Sequence, residues 1–422
     1  MTVAIAVVLT AAGLLLREGR VLVLAVPFLL YCGALLYVRL AGPRAPELSI
    51  HRTVDPERIE EGGHVEVALT VQNRGQAATP MLGLIERLPE SCLVTEGDTA
   101  LLRPLPAGET LSATYTLQAP RGIHTFPAAQ ALIWDRFSLS TTALTLAEES
   151  AFFAQPRIEI FDTVPIRPRR TRAFAGVVKA NVGGSGLDFF GCREYVPGDD
   201  VRRINWRAFA HWNELVINEY EQERIADVTV ILDARQRVNT RIGDTTVFDH
   251  AVRAAASLAL HFLEQGNYVG LLIYGNYLDW TLPSTGRAQK ERILEALARA
   301  QTADKSVFED LRNIPARLFP PRSQLVVISP LADQDDVEIL GILRAREYQI
   351  LLVSPNVLPS KQAERPADET LSLAVRIAQL RRTLLLDTLR RIGVRVIDWN
   401  IPEPLTVPLH GLVKGGWRHK WR

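Results

Sequence analysis

An alternation of short apolar runs and amphipathic segments between residues 228 and 400 does most to limit what this chain can fold into. Val228–Leu232, Tyr268–Tyr274, Leu325–Ser329, Ile350–Ser354 and Val394–Asp398 have the length and apolar character of buried strands. Between them apolar residues return at helical spacing. Val252, Ala255, Ala256, Ala259 and Phe262 mark one face over residues 248–265, which Gly266 stops, and Ile293, Leu294 and Leu297 mark another over 289–300. Further helices are expected over 337–346 and 371–392. Strands that are apolar on both faces need cover on both, so the pattern predicts a mostly parallel, doubly wound α/β sheet. A length of 422 residues with 47% hydrophobic content allows two or three such cores, and a net charge of +1 gives no global pull toward nucleic acid.

The densest specific chemistry precedes the first of those strands, in residues 184–227. A Gly-rich lead-in reaches Asp188, Phe189 and Phe190, followed by Arg193, Glu194 and Tyr195. Pro197-Gly198 suits a type II turn. Asp199 or Asp200 is then placed to cap a short helix carrying Arg202, Arg203, Ile204, Trp206 and Arg207, with Val201, Ile204 and Ala208 on one face. Two arrangements are open. Arginines and carboxylates can form a buried, hydrogen-bonded plug that joins a preceding domain to the sheet. Alternatively, Trp and Arg can face outward as anchors for a partner.

In its order G-x-G-x-D-F…R-E-Y-x-P-G-D-D-x-R-x-I-x-W…E-x-E, leading into an apolar strand that ends at Asp233, this stretch resembles the domain-of-unknown-function-58 family. The resemblance implies a membrane-anchored chain with a β-rich domain before the signature and a von Willebrand factor A-like domain after it. It also implies association with a MoxR-type AAA+ ATPase. Von Willebrand A domains often hold Mg²⁺ through D-x-S-x-S after the first strand. Here that loop reads Asp233-Ala234-Arg235-Gln236-Arg237, so arginines replace both hydroxyl ligands. The expectation is a degenerate site without metal, in which Arg235 or Arg237 takes the ion's place or pairs with Asp233 or Asp199. Thr285 and Asp333 stand near the positions of the later ligands.

The rest of the chain fits around these parts. Two apolar runs, Val3–Leu16 and Val21–Val38, are separated by Arg17-Glu18-Gly19-Arg20, and residues 1–40 are expected to form a transmembrane helical hairpin. Arg39, Arg44, Arg52 and Arg58 beyond it outnumber Arg17 and Arg20 in the turn, which puts the bulk in the cytoplasm at the plasma membrane. Val65, Val67, Leu69 and Val71 alternate with polar or small residues, as do Leu111, Ala113, Tyr115 and Leu117, so residues 47–160 read as an immunoglobulin-like β-sandwich. Residues 161–183 read as a basic linker with Arg167, Arg169, Arg170, Arg172 and Lys179, and residues 401–422 as a basic tail bearing Trp417 and Trp421. Membrane lipid is the partner of the hairpin; the linker either touches anionic headgroups or is a solvated connection, and the tail is a second membrane contact, an anchor for the ATPase or a solvated end.

No catalytic constellation emerges. Cys32, Cys92 and Cys192 form no CxxC pair, which excludes a disulfide framework and a thiolate zinc site. Cys192 with His211 suggests a thiol hydrolase but lacks an orienting third group. No GxxxxGK[ST] motif occurs, and neither a cofactor nor a small-molecule substrate is implied. The expected function is a membrane-anchored scaffold or adaptor, not an enzyme. The alternatives are an outward-facing, metal-dependent adhesion receptor and a cryptic thiol hydrolase.

Overall fold

A computed structural model describes residues 2–41, 47–134, 141–146, 149–162, 164, 166, 171–172, 178–236, 239–243, 245–275, 278–302, 318–331, 334–356 and 369–414. The chain divides into two units, Met1–Gln155 and Pro156–Arg422.

The first unit begins with paired helices, Thr2–Leu16 and Gly19–Ala41, joined at Arg17 in a left-handed conformation (φ 48°). The expected hairpin therefore forms, with a tighter turn than the predicted four residues. Its outer faces are apolar: Leu14, Leu15, Leu16, Leu24 and Leu30 are all more than 60% exposed. Among the described residues no helix is long and apolar enough to cross a membrane, so the spanning role expected of residues 1–40 is unsupported. At about 1.5 Å per residue the first helix reaches only about 22 Å, against a hydrocarbon core of about 30 Å.

The β-rich part of this unit follows from strict alternation. Val65, Val67, Leu69 and Val71 on the strand His64–Asn73 are all buried, while the residues between them are not. That strand pairs antiparallel with Leu48–Asp55 and Thr110–Gln118, and Leu93–Gly97 completes a four-stranded sheet. Leu69 and Val71 pack against Leu82, Leu84, Ala131 and Ile133 from a second four-stranded sheet. Val65, Val67, Tyr115 and Leu117 pack instead on Phe126 and Phe152 of a three-stranded sheet. At their meeting point lies a buried ion pair absent from the sequence reading. Arg52 Nη2 bonds Glu86 Oε1 at 2.5 Å and the Pro127 carbonyl at 2.9 Å, and its guanidinium lies 5.0 Å from the Phe126 ring centre.

The second unit contains the α/β sheet, in the order Asp279–Ser284, Tyr268–Tyr274, Val216–Asp233, Gln324–Ile328, Gln349–Asn356, Arg395–Asn400. All neighbours run parallel except the first pair. The expected helices appear at Val247–Glu264, Arg287–Arg299, Gln334–Ala345 and Glu369–Arg391. Thr246 and Asp249 close a capping box at the first of them. The antiparallel edge strand Asp279–Ser284 was not expected.

A larger departure concerns residues 161–183. Thr171–Arg172 and a long strand, Val178–Glu194, pair with the amino-terminal extension of the central strand Val216–Asp233. Gly183, Gly184 and Gly191 sit at register shifts in this ladder, which obscures the alternation that would have marked a strand. Arg167, Arg169 and Arg170, and the tail beyond Lys414, lie outside the described residues.

Candidate functional site

The central strand Val216–Asp233 is 18 residues long and carries a different constellation at each end. At about 3.3 Å per residue the two are separated by roughly 50 Å of extended chain. Asp199 and Asp233 therefore serve different ends, and no arginine joins them.

At the carboxyl end, Asp233 leaves the sheet fully buried, and Arg235 turns back upon it. Arg235 Nε bonds Asp233 Oδ1 at 2.8 Å and Nη2 bonds Oδ2 at 2.6 Å. The same guanidinium grips Asp336, at the start of the helix Gln334–Ala345, through Nη1–Oδ1 at 3.0 Å and Nη2–Oδ2 at 2.9 Å. Ser329, just beyond the next strand, donates its hydroxyl to Asp233 Oδ2 at 2.7 Å and accepts from the Leu331 N–H at 3.1 Å. Two carboxylates, a serine hydroxyl and a strand carboxyl end make a donor set suited to a hard divalent cation. Here the guanidinium engages that set with charge-assisted bonds of its own, so Arg235 pairs with Asp233 and not with Asp199. The Arg235 side chain has no exposed surface, and its guanidinium lies 5.3 Å from the Tyr274 ring centre. Burial first, and then the Asp233 carboxylate beside it, drive the Tyr274 phenol well above its ordinary range.

A second arginine closes the neighbouring edge. Arg382 bonds Asp398 Oδ1 at 2.7 Å, the Ser354 hydroxyl at 2.9 Å and the Pro330 carbonyl at 2.9 Å, so it ties three strand ends together. Sequence reading missed Asp336, Ser329 and Arg382. The signal for Asp336 was the acidic pair Asp335-Asp336 opening an amphipathic helix. Thr285 is exposed, and Arg237 and Asp333 lie outside the described residues.

At the amino end, the strands Val178–Glu194 and Val216–Asp233 form a hairpin whose tip is the signature. The predicted turn forms. Asp199 N–H donates to the Val196 carbonyl at 3.0 Å, with Pro197 and Gly198 between them and Gly198 at φ 109°. The single expected helix is instead two pieces, because the backbone breaks at Ile204-Asn205. Asp200 caps a 3-10 turn, Val201–Arg203, and accepts from the Arg202 N–H at 3.0 Å. Asn205 caps the helix Trp206–Trp212, accepting from Ala208 N–H, while its own amide donates to Asn218 Oδ1 at 2.9 Å. Ile204 is the buried element of the tip and bridges Ile217; Val201, expected beside it, is 59% exposed.

Arg193 organises the charged side of the tip. It forks onto Asp199 at 2.6 and 2.7 Å, reaches Glu219 Oε1 at 2.8 Å, and donates to the Glu194 carbonyl at 2.9 Å. These bonds hold the Arg193 proton more tightly than usual. Arg193, followed by the Val196 N–H, lowers the Asp199 carboxyl to about 2. Tyr195 is half-buried, and its N–H donates to the Leu215 carbonyl at 2.9 Å. Asp188 lies in the hairpin strand, with its side chain outside the described residues.

The tip is not a buried plug. Trp206 is 60% exposed and Trp212 70%, with Val196 and Leu215 also open, and Arg202 and Arg207 are exposed. The physical reason is size: a seven-residue helix on a two-stranded arm has only Ile204 and Ile217 to close on. Nor does Cys192 face a base. Its thiol donates to Asn218 Oδ1 at 3.4 Å and lies 3.8 Å from Asn205 Nδ2. The thiol that does meet an imidazole was not singled out from sequence. Cys92 Sγ is 3.5 Å from His124 Nδ1, with His124 Nε2 on the Pro120 carbonyl at 2.8 Å, and burial pushes the Cys92 thiol up to about 11. That is the wrong direction for a nucleophile at neutral pH.

Comparison with known proteins adds relatives rather than an activity. The chain is 24% identical over 264 residues to the uncharacterized protein YeaD of Bacillus subtilis, covering 59% of this chain and 60% of that one. It is 28% identical over 189 residues to the uncharacterized protein Rv1480 of Mycobacterium tuberculosis, covering 44% and 59%. The chain thus spans about three-fifths of the curated relatives it matches. Among solved structures, a FixG-related protein from Vibrio parahaemolyticus is similar over 26% of this chain and 98% of its own, at 18% identity and a TM-score of 0.19. The CARDB domain of the PF1109 protein from Pyrococcus furiosus matches 26% of this chain and 91% of its own, at 16% identity and the same TM-score of 0.19. Neither likeness carries an argument. The comparison that bears on the sites is a family domain: residues 191–388, spanning the signature tip and most of the α/β sheet, match the family described as a protein of unknown function, DUF58.

Proposed function

We propose that this chain is a membrane-anchored adaptor whose signature tip docks a protein partner, and that it is not an enzyme. The observation that carries this reading is the exposure of Trp206 and Trp212 on a tip held in shape by the Arg193–Asp199–Glu219 network. Exposed Trp and Arg on a rigid mount are the residues that interfaces use as anchors, because little conformational entropy remains to be lost on binding. The α/β sheet acts as a von Willebrand A-like body whose cation place is taken by Arg235, a permanent internal charge in place of an exchangeable ion. Resemblance supplies the partner, a MoxR-type AAA+ ATPase in envelope or complex assembly.

Support for the anchor comes from the apolar outer faces of the helices Thr2–Leu16 and Gly19–Ala41, which lipid would cover, with the bulk of the chain on the cytoplasmic side of the plasma membrane. The metal-dependent receptor loses its motivation because the guanidinium occupies the carboxylates it would need. The thiol hydrolase loses it because Cys192 meets two asparagines. Co-purification from native membranes after crosslinking tests the adaptor reading. Wild type should recover an AAA+ ATPase and Trp206→Ala should not. Equal recovery with both would overturn it.

A further inference from the structure

The helix Glu369–Arg391 has two apolar faces, and the sheet uses only one. Leu386 and Leu389 are buried in the core between sheet and helix, and Arg382 fixes the helix to the strand ends. On the outer side Leu373, Ile377, Leu380 and Leu384 are 56%, 43%, 65% and 67% exposed. Their steps of four, three and four residues are the a/d repeat of a left-handed coiled coil. The exposed large apolar side chains described on this helix keep to those steps, whereas a helix lying on a sheet or a membrane presents a wider stripe. What fits a 4-3-4 seam is another α-helix with the same repeat.

The flanks say which helix. Alongside the seam stand Arg376, Arg381 and Arg390, all exposed, and the remaining flanking positions are Ala374, Thr383 and Thr388. Between residues 373 and 384 no acidic residue flanks the stripe, and Arg390 beyond it is bonded to Asp387 at 2.8 Å. A second copy of this chain laid parallel would set Arg376 against Arg381, and an antiparallel copy would leave both without an opposite charge. Flanking positions of a coiled coil choose partners by charge, so the seam selects against itself.

We propose that Leu373–Leu384 is a docking seam for one amphipathic helix of a partner protein, with apolar residues at 4-3-4 spacing and Glu or Asp on both flanks. The seam is distinct from the signature tip and does not depend on the identity of the partner there.

The test uses the full chain in detergent and two labelled four-heptad peptides with Leu and Ile in the seam, one flanked by Glu and one by Lys, followed by fluorescence anisotropy. The Glu-flanked peptide is expected to bind at least tenfold more tightly than the Lys-flanked one. Leu380→Glu with Leu384→Glu should abolish binding while leaving the melting temperature unchanged, since both side chains are about two-thirds exposed. Arg376→Glu with Arg381→Glu should invert the preference between the peptides. Trp206→Ala should leave peptide binding intact, which separates failure of the seam from failure of the tip. Equal binding of both peptides, no binding of either, no inversion, or a homodimer that Leu380→Glu splits, would each overturn the proposal.

Discussion

Removing the Arg235 guanidinium is the sharpest perturbation the structure offers. Arg235→Ala deletes four charge-assisted hydrogen bonds, two to Asp233 and two to Asp336, and leaves both carboxylates in place. The Asp233 side chain has no exposed surface and that of Asp336 is 6% exposed, so water cannot substitute for the lost cation without opening the sheet end. Breaking a buried ion pair from one side typically costs about 3–5 kcal/mol, and two stranded carboxylates place this case at the upper end. For a unit of this size that is a fall in melting temperature of roughly 10 °C or more. The triple variant Asp233→Asn, Arg235→Met, Asp336→Asn removes every charge at similar volume and should recover much of the loss, because no uncompensated charge remains. Differential scanning calorimetry of the full chain in detergent measures both. A loss below about 1 kcal/mol in Arg235→Ala, or a triple variant no better than the single, would refute the electrostatic account.

Other consequences are independent of that one. Wild-type chain titrated calorimetrically with Mg²⁺ or Mn²⁺ should show no saturable binding, since Arg235 holds the carboxylates; a micromolar site lost in Asp233→Ala would overturn this. Trp206→Ala should change stability by no more than about 0.5 kcal/mol, as an exposed position, while partner recovery fails; a large loss of stability would restore the buried-plug arrangement. His261 accepts the Val164 N–H on Nε2, and burial lowers its pKa below the ordinary 6.5. The folded state then binds fewer protons than the unfolded one, so stability is full above about pH 6.5 and declines as pH falls below it; His261→Gln should flatten the decline between pH 7 and 5. The Asp199 carboxyl, depressed by Arg193, should titrate near 2 by NMR, so the tip's ion pair is lost only in strong acid; a midpoint near 3.8 would show that the fork does not form.

Much of the α/β unit was legible because burial on both faces leaves a periodic record. Tyr268–Tyr274 came out with the bounds expected, and the helix expected over 248–265 runs from Val247 to Glu264. The strand with Val65, Val67, Leu69 and Val71 inward was equally plain. Less legible was the arm Val178–Glu194: register shifts at its glycines break the period, and pairing with residues 22 to 46 positions later leaves no local trace. The signature residues were recognisable as a group, but their burial was not, since arginines beside carboxylates suit a core plug and a surface rim alike.

What the sequence determined by itself was therefore composition along each element: which segments alternate, which end in an Asp, and that arginines stand two and four residues after Asp233. Tertiary structure alone decided which charges meet. Asp233 and Asp336 are 103 residues apart and converge on Arg235 only because parallel strands deliver their carboxyl ends to one edge of the sheet. Asp199 was an equally plausible partner for that arginine on the page, and the fold sends it to the other end of the strand. Pairing energies depend on distance and burial, and neither is written in the order of residues.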